Sequence, residues 1–272
     1  MAEPSVIVPS RDRSISLINA SILFVAAFFL THIIYLFVTW LTARTFGIES
    51  VFTIFHVSFN TLTSSSLWSV DSLVILFFAG PFFNTIVAGL FSRLHFVSRG
   101  DSGMAKLFYL YMFILGMNYS LGAFVAAPIT SQETWFAMAW LEIPQIAMYF
   151  IGLIFLIVMM YIGSTKALFF YEASIYHQPN NKINRQYWLL NTLFWPWLIN
   201  IVFMVALLLP EIKWFTIIIL ITPILFFIPV FARSPLMKEI FENPLPYSPK
   251  LYWKIGIVLI ISALVIRFIF SL

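Results

Sequence analysis

The chain has 272 residues, of which 61% are hydrophobic, 19% aromatic and only 10% charged, with a mean hydropathy of +0.96; no water-soluble domain buries so large an apolar fraction, and repeated apolar runs of about 20 residues read as a polytopic membrane protein. Fifteen Lys and Arg against 11 Asp and Glu give a formal charge of +4, an excess that loop topology accounts for without nucleic acid as a partner. There is no cysteine, which excludes disulfides, thiolate zinc sites and iron–sulfur clusters.

Polar punctuation divides the chain into seven apolar stretches, about 16–42, 71–92, 107–129, 145–170, 187–209, 214–232 and 251–270. Each is long enough to cross about 30 Å of hydrocarbon at 1.5 Å per residue. The expected fold is therefore all-α, a polytopic transmembrane bundle of about seven spans, with a short strand-rich segment at 51–60. The first stretch follows Arg11 and Arg13 and reaches its polar break without a small-x-small cleavage site, so residues 1–15 read as a retained cytoplasmic tail.

With the N-terminus inside, Arg11, Arg13, Arg93, Arg99, Lys106, Lys166, Lys182, Arg185, Arg233, Lys238, Lys250 and Lys254 all fall on the cytoplasmic side, 12 in number, against Arg44, Lys213 and Arg267, 3 in number, outside. The positive-inside rule then predicts a multi-pass protein with the N-terminus cytoplasmic and the C-terminus outside, and the expected location is a bacterial inner membrane.

Between the first two stretches lies the longest outside connection, Thr45 to Val70, and Val51–Phe59 within it carries strand formers at nearly every position. Two short strands or a re-entrant hairpin fit there, tolerated near a membrane only where protein covers the backbone. Gly80-Pro81, Trp195-Pro196-Trp197 and Pro223 with Pro229 predict kinks in the second, fifth and sixth spans. The loop His177–Arg185 is a polar turn region, and Ser234–Lys250, with four prolines, is irregular. Trp40, Trp68, Trp135, Trp140, Trp188, Trp214 and Trp253 stand at span ends as interfacial anchors.

Ionisable groups at membrane depth mark function in most catalytic or transporting membrane proteins, and here the 11 acids all lie at span ends or in loops. His32 is the one titratable group well inside a span. A copper or zinc site would have to join it to His56 with Asp71 or Glu49, a spacing that matches no known ligand pattern. Asn84, Asn118, Asn191 and Asn200 are neutral polar groups within spans and are expected to face other helices.

The order of features from about residue 20 to 145 resembles the site-2-protease family of intramembrane zinc metalloproteases. In that family a span carries H-E-x-x-H, a strand-rich segment follows, and the next span opens with an A-G-P-x-x-N-like sequence. The matching stretches here are His32-Ile33-Ile34-Tyr35-Leu36, then Val51–Phe59, then Ala79-Gly80-Pro81-Phe82-Phe83-Asn84. Carried over residue by residue, His32 takes the first ligand position, Ile33 stands where the general-base Glu belongs and Leu36 where the second His belongs. Thr130, in Pro128-Ile-Thr-Ser131, takes the position of the third ligand, an Asp.

Zinc must acidify a water and a carboxylate must accept its proton, so Ile33 and Leu36 cannot supply that chemistry. The resemblance thus implies a proteolytically inactive relative with no cofactor, a pseudoprotease built from a three-span metalloprotease-like core at 16–143 and a four-span addition at 144–272. Asn84, Asn118, Gly122, Thr130, Ser131 and Gln132 are candidate groove or helix contacts, and an extended peptide could add to the Val51–Phe59 edge. The expected partners are the lipid bilayer and other membrane proteins. Two rival readings are a transporter or channel-like permease subunit, drawn from the kinks and Asn side chains, and a lipid-processing enzyme with an outer-face site at His32, His56, Asp71 and the Thr61–Ser69 loop.

Overall fold

The computed structural model describes residues 10–62, 64–98, 103–172, 186, 188–233, 251, 253–258, 261–262 and 265. Helix α1 (Ser10–Thr45) is followed by strands β1 (Ser50–Phe52) and β2 (Val57–Phe59), then by α2 (Val70–Val97), α3 (Gly103–Thr130), the short α4 (Thr134–Trp140) and α5 (Gln145–Glu172). A π-helical turn (Leu190–Phe194) runs into α6 (Trp195–Leu208), and α7 (Trp214–Ile221) and α8 (Ile224–Arg233) follow. Among the described residues, six segments are long and apolar enough to cross a membrane: α1, α2, α3, α5, the π turn with α6, and α7 with α8. The chain is a multi-pass, all-α membrane protein in contact with lipid.

The expected seventh span, 251–270, is helical at 253–258. Residues 261–262 and 265 of it are helical as well, and 252, 259–260, 263–264 and 266–270 lie outside the described residues, as do the tail 1–9, the loop 177–185 and the proline-rich segment 234–250.

Helix α3 is the centre of the bundle. Of its most apolar window 83% is inside, against 22% for α5, and it packs on α1, α2, α5 and α7. Its polar side chains meet a need created elsewhere by proline, which has no N–H and so leaves the carbonyl four residues back without its helical donor. Pro196 does this to Thr192, whose carbonyl accepts the hydroxyl of Tyr111. Pro223 does it to Ile219, whose carbonyl accepts Asn118 Nδ2 at 2.8 Å, while Thr222 Oγ1 donates to Asn118 Oδ1 at 2.8 Å. Next to it the Leu220 carbonyl accepts the Trp197 indole at 2.8 Å. The break between α7 and α8 is thereby tied to α3 and α6 by the groups it exposes.

Two glycines permit close helix crossings. A Cβ on Gly80 would sit 2.8 Å from the Tyr35 ring, where α2 crosses α1, and one on Gly163 would sit 2.2 Å from the Phe226 carbonyl oxygen, where α5 crosses α8. Small residues at such contacts are how apolar helices pack when lipid removes the hydrophobic drive between them.

The strand formers at 50–59 build an antiparallel pair in the register Ser50↔Phe59, Val51↔Ser58 and Phe52↔Val57. The hairpin returns along α1 toward the membrane interior. Its turn reaches His32, which lies 13 residues before the end of α1, a descent of about 20 Å. Of the two forms expected here, two short strands or a re-entrant hairpin, the structure has two short strands joined as a hairpin whose turn packs on α1 beside His32. Protein covers its turn, with Ile54 and Phe55 both buried.

Candidate functional site

The hairpin turn, α1, α3, the α3–α4 linker and the start of α7 converge on one small pocket. It is lined by His32, Tyr35, Leu36, Phe55, His56, Tyr119, Glu133, Lys213, Phe215 and Thr216, with about 10 Å³ of free space, the room of a single water.

His32 forms its floor. Nε2 lies 2.8 Å from the Ile54 carbonyl and Nδ1 lies 2.8 Å from the Tyr119 hydroxyl. A carbonyl only accepts, so Nε2 carries the proton and Nδ1 receives the Tyr119 O–H. Both ring nitrogens are engaged, Nε2 as a donor and the Nδ1 lone pair as an acceptor. The residue that matches the first zinc ligand of the site-2-protease pattern instead pins the hairpin turn to α1 and α3. Ile33 and Leu36 contribute packing, Leu36 from within the pocket wall. Among the described residues no group of three or more His, Asp or Glu comes together to hold a metal ion.

Thr130, at the third ligand position, donates Oγ1 to the Ala126 carbonyl of its own helix at 3.0 Å and does not line the pocket. The carboxylate that does so is Glu133, three residues on. It gets there because the linker takes an unusual path: Ser131 has φ 55° and Glu133 has φ 52° with ψ −114°. The Trp135 N–H donates to the Gln132 carbonyl at 3.1 Å, closing a turn over 132–135 with Glu133 at the position that favours glycine. Holding a non-glycine residue there costs about 1–3 kcal/mol, a strain that concentrates at functional positions.

Gln132 and Glu133 join the linker to α7. Gln132 Oε1 accepts the Phe215 N–H at 3.2 Å, one of the donors left open at the start of α7. Glu133 Oε1 is 4.0 Å from Lys213 Nζ, with the Glu133 side chain 15% exposed and that of Lys213 34%. Burial pushes the Glu133 carboxyl above its ordinary range, and the Lys213 charge pulls it part of the way back. On the hairpin side, His56 Nε2 is 2.8 Å from Ser58 Oγ, while its buried Nδ1 has no hydrogen-bond partner among the described residues.

The other expected contacts lie elsewhere. Asn118 and Gly122 belong to the α3–α7 contact, not to the pocket. Asn84 donates Nδ2 to the Gly80 carbonyl at 3.2 Å, and its buried Oδ1 has no partner among the described residues. Both amide atoms of Asn200 are in the same condition. The A-G-P-x-x-N run thus serves the crossing of α2 with α1, through Gly80. Asp71 lies in the first turn of α2 and Glu49 precedes β1; neither joins His32 or His56 in the pocket.

Register fixes which hairpin backbone groups face outward. Thr53 N–H donates to His56 carbonyl and Asn60 N–H to Glu49 carbonyl, so alternation makes Val51 and Ser58 the hydrogen-bonded pair between them. The N–H and C=O groups of Ser50 and Phe52 then point away from β2, and those of Val57 and Phe59 point away from β1. The Trp40 indole meets the Ser50 carbonyl at 3.3 Å, which places the β1 edge against α1. Nothing among the described residues pairs with the outward groups of Val57 and Phe59.

Comparison of the chain with protein-family models, with curated proteins and with solved structures finds no match. Fold and site together define a multi-pass membrane protein with a hairpin over a small polar pocket.

Proposed function

We propose that the chain is a non-catalytic membrane protein, a pseudoprotease that holds an extended segment of a membrane partner along the outer edge of β2. The observation that carries this reading is the outward edge of β2, where no described residue bonds the backbone groups of Val57, which is buried, or of Phe59, which is partly exposed, beside a turn set deep along α1. Backbone groups in such surroundings cost several kcal/mol each when left without a partner, and a segment added as a third strand supplies one to each. Two features add support. His32, in a zinc-ligand position by resemblance, is engaged at both ring nitrogens, and Ile33 and Leu36 stand in place of the base and second ligand.

The same reading sets the hairpin outside the cell. The opposite end of the described bundle carries Arg93, Lys106, Lys166, Arg233 and Lys254, whereas the hairpin end carries Glu49, Asp71, Glu133, Glu142 and Glu211 with Arg44 and Lys213. That asymmetry favours a cytoplasmic N-terminus, and the membrane proposed is a bacterial inner membrane.

The test uses a photo-crosslinking amino acid at Phe59 in the full chain in native membranes. Crosslinks to another polypeptide are expected, and V57P should reduce them at least tenfold. Proline at an outward edge position leaves the hairpin ladder intact but removes the N–H that a third strand needs. Crosslinks to lipid alone, or protein crosslinks indifferent to V57P, would overturn the proposal.

A further inference from the structure

We infer that the pocket beneath the hairpin turn is a receptor for a primary ammonium group carried by the bound segment, with Glu133 as its counter-charge and Lys213 as the resident cation it displaces. The inference rests on the strand-addition reading and deepens it. Position supplies the first argument. His56 lines the pocket and immediately precedes β2, so a segment laid along the outer edge of β2 runs toward a residue of the pocket wall.

Chemistry supplies the second. The residues of the wall bring acceptors: the Glu133 carboxylate and the hydroxyl-bearing side chains of Tyr35 and Thr216. An ammonium brings three donors and no acceptor, which suits such a wall. The pocket has room for about one water-sized group, which an ammonium head matches and a planar guanidinium exceeds.

The third argument is the quality of the existing pair. Glu133 and Lys213 stand at 4.0 Å, beyond hydrogen-bond distance, with the lysine a third exposed and the carboxylate largely buried. A carboxylate held in a strained turn and paired so loosely is poised to exchange its cation for one that sits deeper. Lys213 can withdraw to solvent from its place just ahead of α7.

Such an ammonium has two sources, a lysine side chain or a free chain terminus. Binding is read by fluorescence anisotropy on the full chain in lipid nanodiscs. The probes are seven-residue strand-forming peptides: one with blocked ends and a central lysine, the same with acetyl-lysine, and one without lysine but with a free amino terminus. The lysine peptide should bind at least tenfold more tightly than the acetyl-lysine peptide, and E133Q should remove that advantage. K213M, which removes the competing cation, should tighten the lysine peptide several-fold. An advantage for the free-terminus peptide instead identifies a chain end as the ligand.

Equal binding of all three peptides to the parent would overturn the ammonium site while leaving strand addition standing. Failure of every peptide to bind would overturn strand addition and this inference with it. A lysine advantage that survives E133Q, or weakening by K213M, would overturn the role given to Glu133.

Discussion

His32 and Ile54 are joined by a hydrogen bond of 2.8 Å from imidazole Nε2 to main-chain carbonyl, across 22 residues of sequence. With Tyr119 on the other ring nitrogen at 2.8 Å, this one side chain couples α1, the hairpin turn and α3. H32L leaves both a buried carbonyl and a buried hydroxyl without a partner, and we expect a loss of about 2–5 kcal/mol. The absence of native cysteine makes the local consequence easy to read. Thiol labelling of S58C should accelerate in the H32L background, and an unchanged rate would show that the hairpin is held by something else.

Asn118 and Pro223 form a second dependency. N118A should lower stability by about 1–3 kcal/mol, since it removes the bonds to Ile219 and Thr222 and interhelical hydrogen bonds are worth about 0.6–2 kcal/mol each. P223A restores a helical donor to the Ile219 carbonyl. The two substitutions should therefore be non-additive, with N118A milder in the P223A background. A double-mutant cycle on thermal midpoints in detergent measures this coupling, and strict additivity would contradict it.

The α5–α8 crossing gives a paired prediction. G163A places a Cβ 2.2 Å from the Phe226 carbonyl oxygen, so the helices must separate, at a cost of about 3 kcal/mol or more. At Gly89 a Cβ meets nothing within 4 Å, and G89A should stabilise by about 0.5–1 kcal/mol through helix propensity. Opposite signs in the two thermal midpoints are the expected result.

The elevated carboxyl of Glu133 makes stability depend on pH in a defined direction. A raised value means that the folded state holds the proton more tightly than the unfolded state. Stability therefore falls as pH rises from the ordinary carboxylate range through the raised value. Glutamine stays neutral throughout, so E133Q should match the parent at acid pH and exceed it increasingly as pH rises toward neutrality. Lys213, His56 and Tyr35 share the pocket, and K213M should widen the gap by removing the compensating charge. A gap that narrows with rising pH would contradict the assignment.

Much of this architecture was legible because lipid imposes simple rules. Apolar runs gave the spans, and the β-branched and aromatic residues of 51–59 announced strands between helices. Pro196 and Pro223 marked the interruptions, yet nothing local says that Tyr111 and Asn118 answer them, because each pair meets only across the folded bundle. The pocket was less visible still. Glu133 reads as an ordinary loop acid, and only the left-handed backbone at 131 and 133 turns it inward. Lys213 arrives from a segment 80 residues later. His32 was conspicuous for the opposite reason: its identity matched a ligand pattern, whereas its role follows from two neighbours, Ile54 and Tyr119, that no pattern includes.

The central position of α3 has a consequence for how the protein is made. Asn118 meets Thr222 across 104 residues of chain, and at ribosomal rates of about 5–20 residues per second that interval lasts about 5–20 seconds. Of the six spans α3 is the least apolar, and it enters the membrane before the carbonyls it serves have been synthesised. During that wait its amide and tyrosine hydroxyls need an interim host, whether α1 and α2, water at the translocon or an assisting insertase. Biogenesis of this protein is in that sense an exercise in timing, and slowing translation beyond α5 is where errors in its assembly should first accumulate.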